Sequence, residues 1–192
     1  MRIVGGQFRG RPLATPQDGR VRPTSDRVRE AVFNILAHGV SGFSLQGAKV
    51  MDLFAGTGAL GLEAVSRGAS YCLFVEQDAD ARGLIRRNVE AFGLSGVTRI
   101  FRRDATDLGP ASSRDAFDLV FADPPYGRGL GEKALTAAAE GGWLASNAVA
   151  VLEEAASSTV AMPSGFDELD RRTWGDTQVV FARFGGAGDR EN

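Results

Sequence analysis

Apolar stretches of strand length alternate with helix-length stretches through the middle of the chain, and this alternation limits the fold more than any other feature. The strand-like stretches are 48–54, 70–76, 97–102, 117–122 and 148–153. The helix-like stretches between them are 59–67, 78–92 and 130–140. Repeated strand–helix units imply a mostly parallel sheet with helices on both faces. The sequence therefore predicts an α/β protein.

The C-terminal end departs from this alternation. The stretches 166–173 and 177–184 are both typical of strands, and only Trp174-Gly175-Asp176 separates them. No helix fits between them, so they predict an antiparallel hairpin.

The N-terminal end also differs from the core. Glycine-punctuated stretches before residue 12 indicate a small β-hairpin, and Thr24 or Ser25 can cap a helix that runs to about residue 37. The expected organisation is an N-terminal extension over 1–40, a core over 41–185 and a disordered polar tail over 186–192.

The composition excludes several kinds of chemistry. The 192-residue chain has one cysteine, Cys72, and one histidine, His38. This excludes an internal disulfide and is too few for a protein-held zinc ion, so no metal is expected. Cys72 lies in an apolar run and His38 at the end of a helical stretch, and neither position indicates catalysis. Without an apolar run of membrane-spanning length or a signal peptide, we expect a cytoplasmic monomer.

Positive charge is concentrated at the N-terminal end. The net charge of the chain is −2, but residues 1–30 carry seven arginines and three carboxylates, and thus a net charge of +4. A basic segment on an acidic body is typical of a protein that meets an anionic partner through that segment. The arginines predicted to bind nucleic acid are Arg2, Arg9, Arg11, Arg22 and Arg29.

A glycine-rich loop joins the first core strand to its helix. Gly56, Gly58 and Gly61 fit the pattern G-x-G-x-x-G, and Glu76 follows at the end of the next strand. Glycines let the backbone approach a nucleoside cofactor, and a carboxylate at the second strand can accept hydrogen bonds from ribose hydroxyls. The loop alone fits both NAD and S-adenosylmethionine.

Two carboxylates favour S-adenosylmethionine over NAD. Asp52 stands just before the loop, where a carboxylate suits the α-amino group of the methionine part and would repel a pyrophosphate. Asp104 follows the third strand, at the sheet edge where ligands of such folds bind, and can accept a hydrogen bond from the adenine amino group. The alternative for Asp104 is an ordinary aspartate that begins a turn.

The most specific motif is Asp123-Pro124-Pro125-Tyr126, directly after the apolar stretch 117–122. Two prolines make a rigid turn and remove two backbone donors, which leaves carbonyls, a carboxylate and an aromatic ring. The Asp123 side chain and the Pro124 carbonyl can each accept one N–H of an exocyclic base amine, and Tyr126 can stack on the base. The motif therefore predicts methyl transfer to such an amine.

Several segments together resemble one family. They are 22–30, 52–61, 123–126 and Gly175-Asp176-Thr177. In this combination the chain resembles the RsmD-type bacterial 16S ribosomal RNA guanine-N2 methyltransferases, a class I S-adenosylmethionine-dependent family, from Arg2 to about Phe184. The chain departs from the family at Trp174, where a tyrosine is expected, but it keeps an aromatic ring there.

The resemblance implies a Rossmann-like class I methyltransferase fold with a seven-stranded sheet, S-adenosylmethionine as methyl donor and one guanine as target. The cofactor residues that it implies are Asp52, Phe54, Gly56, Gly58, Glu76, Gln77, Asp104, Ala105 and Asp123. The residues that it implies at the guanine amine are Asp123, Pro124 and Tyr126. The expected partner is the small ribosomal subunit or its 16S RNA.

Other functions stay open on the sequence alone. A DNA adenine-N6 methyltransferase is the nearest alternative, since Asp-Pro-Pro-Tyr suits that amine equally well, although such an enzyme usually needs an added segment to read duplex sequence. A protein glutamine methyltransferase more typically has Asn in place of Asp123. A NAD-dependent dehydrogenase leaves the Asp-Pro-Pro-Tyr motif unexplained, and a non-catalytic RNA-binding protein leaves the intact cofactor loop unexplained.

Overall fold

The structure is a computed structural model that describes residues 1–16, 25–112 and 116–185. The chain divides into two units, Met1–Arg102 and Arg103–Asn192. The first contributes three strands and the second four to a seven-stranded sheet. The expected fold class, a mostly parallel sheet with a C-terminal antiparallel hairpin, is confirmed.

The first unit has three parallel strands in the order β3-β2-β1. Its helices and strands are α1 (Asp26–His38), β1 (Lys49–Leu53), α2 (Ala59–Ser66), β2 (Tyr71–Val75), α3 (Ala79–Phe92) and β3 (Thr98–Phe101). All residues of β1 and β2 after the first are buried, as expected for strands of a sheet that is covered on both faces. Leu53 pairs with Val75, so the loop after β1 and Glu76 leave the sheet at the same edge.

The helices α1 and α3 of the first unit have typical capping residues, one of which was predicted. Ser25, rather than Thr24, caps α1: its side chain accepts the Val28 N–H at 3.2 Å. Asp78 caps α3 by accepting the Ala81 N–H at 2.8 Å. At the other end of α3, Gly93 has the left-handed conformation that commonly ends a helix.

The second unit has four strands in the order β4-β5-β7-β6. Its elements are β4 (Phe117–Ala122), α4 (Leu130–Glu140), β5 (Leu144–Ala155), β6 (Phe166–Trp174) and β7 (Thr177–Phe184). The strands β4 and β5 are parallel, and β7 is antiparallel to both β5 and β6. The strand β5 is longer than the predicted stretch 148–153 because it contains an irregularity: Asn147 has φ of 64°, and the register with β4 shifts there. The sequence pattern breaks at such a bulge, although the strand continues through it.

The predicted N-terminal β-hairpin is reduced to one antiparallel bridge, between Arg2 and Pro12, around a 3-10 turn at Gly6–Phe8. Backbone hydrogen bonds also join the two sides of this bridge, such as that from the Ile3 N–H to the Arg11 carbonyl at 3.0 Å, while other groups of the segment bond to α2. The Val4 N–H donates to Glu63 Oε2 at 2.8 Å, and the Phe8 N–H donates to Ser66 Oγ at 3.0 Å. The segment is therefore fastened to a helix and does not form two strands.

Arg29, one of the arginines predicted to bind nucleic acid, is fully buried in the first unit. Its guanidinium donates to Asp26 Oδ1 at 2.8 Å and to the carbonyl of Arg2, and its Nε lies 3.5 Å from Glu63 Oε2, an ion-pair distance. The predicted contact with nucleic acid is therefore wrong for Arg29, because the group is enclosed and already paired. Its role is to join α1, α2 and the N-terminal segment.

Three expectations stay predictions. The RNA contact of Arg22 and the disorder of the tail 186–192 concern residues outside those that the structure describes, and the proposed domain boundary at residue 40 is untested.

Among the described helices, none combines the length and the apolarity that a bilayer crossing requires.

The buried position of Glu63 leads to a prediction about stability. Its side chain is 0% exposed and also accepts from Arg67 Nε at 2.7 Å. Glu63→Ala should lower the free energy of unfolding by about 3 kcal/mol, because it leaves the buried Arg29 charge without this partner. Denaturant unfolding measures the free energy of unfolding of each variant. The control is Glu30→Ala, on the exposed side of α1, whose free energy of unfolding should lie within about 0.5 kcal/mol of wild type. Equal effects of the two variants would contradict the assignment.

Candidate functional site

The glycine loop of the first unit lies between β1 and α2, and its backbone is unusual at three positions. Gly56 and Gly58 have φ of 56° and 79°, the left-handed region that glycine adopts without cost. Phe54 has φ of 59°, which costs a residue with a side chain on the order of 1 kcal/mol. Backbone strain of this kind concentrates at functional sites, which agrees with the prediction that this loop binds a ligand.

Two of the three glycines, Gly61 and Gly56, serve different purposes. A Cβ added at Gly61 would lie 2.5 Å from Cys72 Sγ and from the Phe74 ring, so this glycine lets α2 pack closely on β2. Among the described residues, a Cβ at Gly56 would meet only the Phe54 carbonyl, at 3.9 Å. The part of the chain that the structure describes therefore leaves the space over Gly56 open, as close approach of a ligand to the backbone requires.

Glu76 connects the loop to the end of β2. Its Oε2 accepts the Gly56 N–H at 2.9 Å, and its Oε1 accepts the Asp78 N–H at 2.8 Å. Each carboxylate oxygen can accept a second hydrogen bond. Glu76 is partly exposed, and Gln77 beside it is exposed. The structure thus brings together Gly56 and Glu76, which the sequence placed twenty residues apart.

Asp52 lies at the end of β1 and is only 2% exposed. Its Oδ2 accepts the Gly61 N–H at 3.0 Å. Burial raises the pKa of Asp52 to about 8, an effect that the Gly61 N–H reduces and the charge of Glu76 increases. A cation beside Asp52 would lower this pKa again and stabilise the carboxylate.

The raised pKa of Asp52 leads to a prediction about stability and pH. Because the folded chain binds this proton more tightly than the unfolded chain, with its usual pKa of 3.8, the stabilisation is complete below that pH and is lost as the pH rises to about 8. Asp52→Asn cannot ionise and keeps an oxygen for the Gly61 N–H. Its melting temperature should therefore rise relative to wild type with increasing pH, by at least about 2 °C at alkaline pH.

Thermal unfolding from pH 5 to pH 9 measures this difference. Asp107→Asn, at an exposed aspartate, is the control and should follow wild type at every pH. A melting-temperature difference between Asp52→Asn and wild type that does not change with pH would contradict the raised pKa.

In the second unit, Asp104 lies in a tight turn. Its Oδ1 accepts both the Thr106 N–H at 2.8 Å and the Thr106 hydroxyl at 2.7 Å, and these bonds lower the pKa of Asp104. Asp104 is therefore ionised and exposed, while Ala105 beside it is buried. The turn-forming role considered for Asp104 is present, and contact with an adenine stays a prediction.

The Asp-Pro-Pro-Tyr motif directly follows β4. Asp123 is partly exposed and Pro124 is buried. The Tyr126 hydroxyl donates to Glu153 Oε1 at 2.5 Å and lies 3.2 Å from Thr177 Oγ1. Burial, and then the hydrogen bond to Glu153, raise the pKa of Tyr126, so the phenol stays protonated.

Two residues of this site were missed by the sequence analysis. Glu153 holds the Tyr126 hydroxyl, and Glu154 Oε1 accepts the Gly127 N–H at 2.9 Å just after the motif. Both are buried, at 7% and 3% exposure. A signal for them was present in the sequence: two consecutive glutamates follow the apolar part of β5. Because side chains alternate between the two faces of a strand, at most one of the two was expected to face solvent.

Arg2, Arg9 and Arg11 are exposed, unlike Arg29. Arg11 lies with its guanidinium 4.3 Å from the centre of the Phe92 ring and donates to the Ala91 carbonyl at 2.5 Å. Its position is therefore fixed while one side of it faces solvent. In the described part of the chain, no group of three or more metal-ligating side chains gathers.

Comparison with known proteins identifies the family. The family model described as Conserved hypothetical protein 95 matches residues 1–183. The chain is 39% identical over 153 residues to Ribosomal RNA small subunit methyltransferase D of Escherichia coli, with 80% of this chain and 74% of that protein covered.

Solved structures agree with this match. A putative methyltransferase, yhhF, from Escherichia coli has a TM-score of 0.80 and 32% identity, over 96% of this chain and 97% of that one. The Thermus thermophilus 16S rRNA N2 methyltransferase RsmC, in complex with AdoMet and guanosine, has a TM-score of 0.59 and 25% identity, over 87% of this chain and 44% of that one. The resemblance stated from the sequence motifs is confirmed. The chain belongs to the Conserved hypothetical protein 95 family, which is the RsmD family of class I ribosomal RNA methyltransferases.

Proposed function

We propose that this protein transfers a methyl group from S-adenosylmethionine to the exocyclic N2 amine of a guanine in 16S ribosomal RNA. Membership of the RsmD family supports methylation of ribosomal RNA. The observation that carries the choice of an amine is the Asp-Pro-Pro-Tyr turn at the end of β4, with its tyrosine held in place by Glu153. Such a turn presents acceptors and an aromatic face rather than a strong base.

The glycine loop of the first unit is the proposed cofactor site. The open space over Gly56 fits close approach of a nucleoside, and Glu76 keeps acceptor capacity for ribose hydroxyls. Asp52 would be ionised by a bound α-ammonium group. The other residues proposed to bind the cofactor are Phe54, Gly58 and Gln77 in this unit, and Asp104, Ala105 and Asp123 in the second unit.

The chemistry proposed for the second unit needs no histidine. S-adenosylmethionine supplies an electrophilic methyl group when it is bound. Asp123 and the Pro124 carbonyl would each accept one N–H of the guanine amine, which directs the nitrogen lone pair away from the ring and towards the methyl group. Tyr126 would stack on the base. The N2–methyl bond would form as the methyl–sulfur bond of the bound donor breaks, which would release S-adenosylhomocysteine. The methylated N2 is a stronger acid, so one proton would pass to solvent without a strong base. Alignment and electrostatic support of the positive nitrogen account for the rate.

Asp123→Ala tests this assignment. The variant should lower kcat for methylation of small ribosomal subunits by at least about 100-fold, because the amine loses its charged acceptor. Its Kd for S-adenosylmethionine should change little, since most proposed cofactor contacts lie in the first unit. Asp167→Ala, the same substitution at an exposed residue of β6, is the control. Wild-type turnover in Asp123→Ala would overturn the assignment.

The exposed arginines of the N-terminal segment are the proposed RNA contacts. A guanine inside a paired helix has to be unstacked to reach the site, and phosphate contacts help to hold the RNA during that step. The small ribosomal subunit is the proposed partner, and the cytoplasm, where ribosomes act, is the proposed location.

Neutral replacements at Arg9 and Arg11 test the RNA contacts. Glutamine at both positions removes the charge and keeps much of each aliphatic stem. The KM for RNA should rise, and the slope of log affinity against log salt should fall by about one for each phosphate that the variant no longer binds. Arg172→Gln on the β6 strand is the control. An unchanged salt slope would place the RNA contacts elsewhere.

A further inference from the structure

The end of β5 lies beside the end of β4, and this register brings Glu153 to the Asp-Pro-Pro-Tyr motif. Ala122 pairs with Leu152 in the parallel β4–β5 ladder. Asp123 directly follows Ala122, and Glu153 directly follows Leu152, so the two residues occupy the next position along these neighbouring strands. The strand β7 is antiparallel to β5 and begins at Thr177, which pairs with Ala155. Three neighbouring strands thus bring Glu153 and Thr177 to the Tyr126 hydroxyl.

The hydrogen bonds at the Tyr126 hydroxyl have a defined direction. The single phenol hydrogen donates to Glu153 Oε1 at 2.5 Å, because a carboxylate can only accept. The Thr177 hydroxyl, 3.2 Å away, is then placed to donate to the phenol oxygen. Because a phenol oxygen is conjugated with its ring, its hydrogen-bond partners preferably lie in the plane of the ring. They fix the rotation of the ring as well as its position.

The main chain next to Tyr126 is held as well. Glu154 Oε1 accepts the Gly127 N–H at 2.9 Å and the Ala155 N–H at 2.7 Å. The two consecutive carboxylates therefore hold the side chain and the backbone of the same turn. Hydrogen bonding of each buried carboxylate offsets part of the cost of burying its charge.

We infer that Glu153, together with Thr177, is a positioning residue that fixes the plane of the Tyr126 ring before the substrate binds. This inference rests on the proposed function, in which Tyr126 is the surface on which the target base stacks. A ring that is already oriented loses no further rotational freedom when the base arrives. It also sets the tilt of the base, and with it the direction in which the amine faces the methyl group. The effect is therefore expected in kcat.

A double-mutant cycle separates positioning from folding. Glu153→Leu removes the acceptor, Tyr126→Phe removes the hydroxyl, and the double variant removes both. Each single variant leaves one buried polar group without this partner and should be less stable, whereas the double variant should recover stability because two apolar side chains then meet. By contrast, kcat should fall about tenfold in all three variants, since each lacks the hydrogen bond between Tyr126 and Glu153. Glu140→Leu, at an exposed glutamate of the same unit, is the control.

The kcat values of the two single variants and the double variant decide whether Glu153 and Tyr126 act as a unit. If kcat falls by the same factor in all three variants and the Kd for S-adenosylmethionine is unchanged, the positioning role is supported. Wild-type kcat in Glu153→Leu would overturn it. So would a double variant whose loss is the product of the two single losses, because independent effects multiply.

A measurement without substrate tests the same hydrogen bond. The chain has two tyrosines, Tyr71 and Tyr126, so labelling with 3-fluorotyrosine gives two fluorine resonances. Restricted rotation should split or broaden the Tyr126 resonance in wild type, and Glu153→Leu should narrow it to one line while the Tyr71 resonance stays unchanged. An unchanged Tyr126 resonance would overturn the positioning role. A wild-type protein that methylates no RNA would instead overturn the proposed function, so the two failures are distinguishable.

Discussion

In each unit, carboxylates at the ends of parallel strands accept hydrogen bonds from neighbouring loops and from a helix start, and the candidate residues of that unit depend on these bonds. In the first unit, Asp52 accepts the Gly61 N–H and Glu76 accepts the Gly56 N–H. In the second unit, Glu153 holds the Tyr126 hydroxyl and Glu154 the Gly127 N–H. Loops that carry ligand contacts are usually more mobile than the strands that they connect, so their side chains are placed less precisely. Here each loop is fixed by hydrogen bonds to carboxyl groups at rigid strand ends.

The sequence predicted most of the fold and the main motifs because both depend on local patterns. Hydrophobic runs marked every core strand, and β4, α4 and β7 have the predicted limits. The full length of β5 could not be predicted, because the bulge at Asn147 interrupts the pattern. Glu153 was missed for a different reason: its partner, Tyr126, is 27 residues away, and the β4–β5 register that joins them is not a local property.

The N-terminal segment shows where charge alone misleads. Counting arginines indicated one basic arm, but the structure divides them into exposed residues and the buried Arg29. Burial of Arg29 requires Glu63, which the sequence places inside an apolar helix with no sign of its partner. The segment therefore both anchors α2 and presents Arg9 and Arg11 to solvent. A net charge gives no information about which charges are paired.

Identification of the methylated nucleoside is a direct test of the reaction proposed for this protein. Labelled S-adenosylmethionine is supplied with small ribosomal subunits from cells that lack the enzyme, and in parallel with duplex DNA, and both are then digested to nucleosides. The account predicts N2-methylguanosine from the subunits and no product from the DNA. N6-methyladenine from the DNA, or no transfer to the subunits by protein that binds the cofactor, would contradict it.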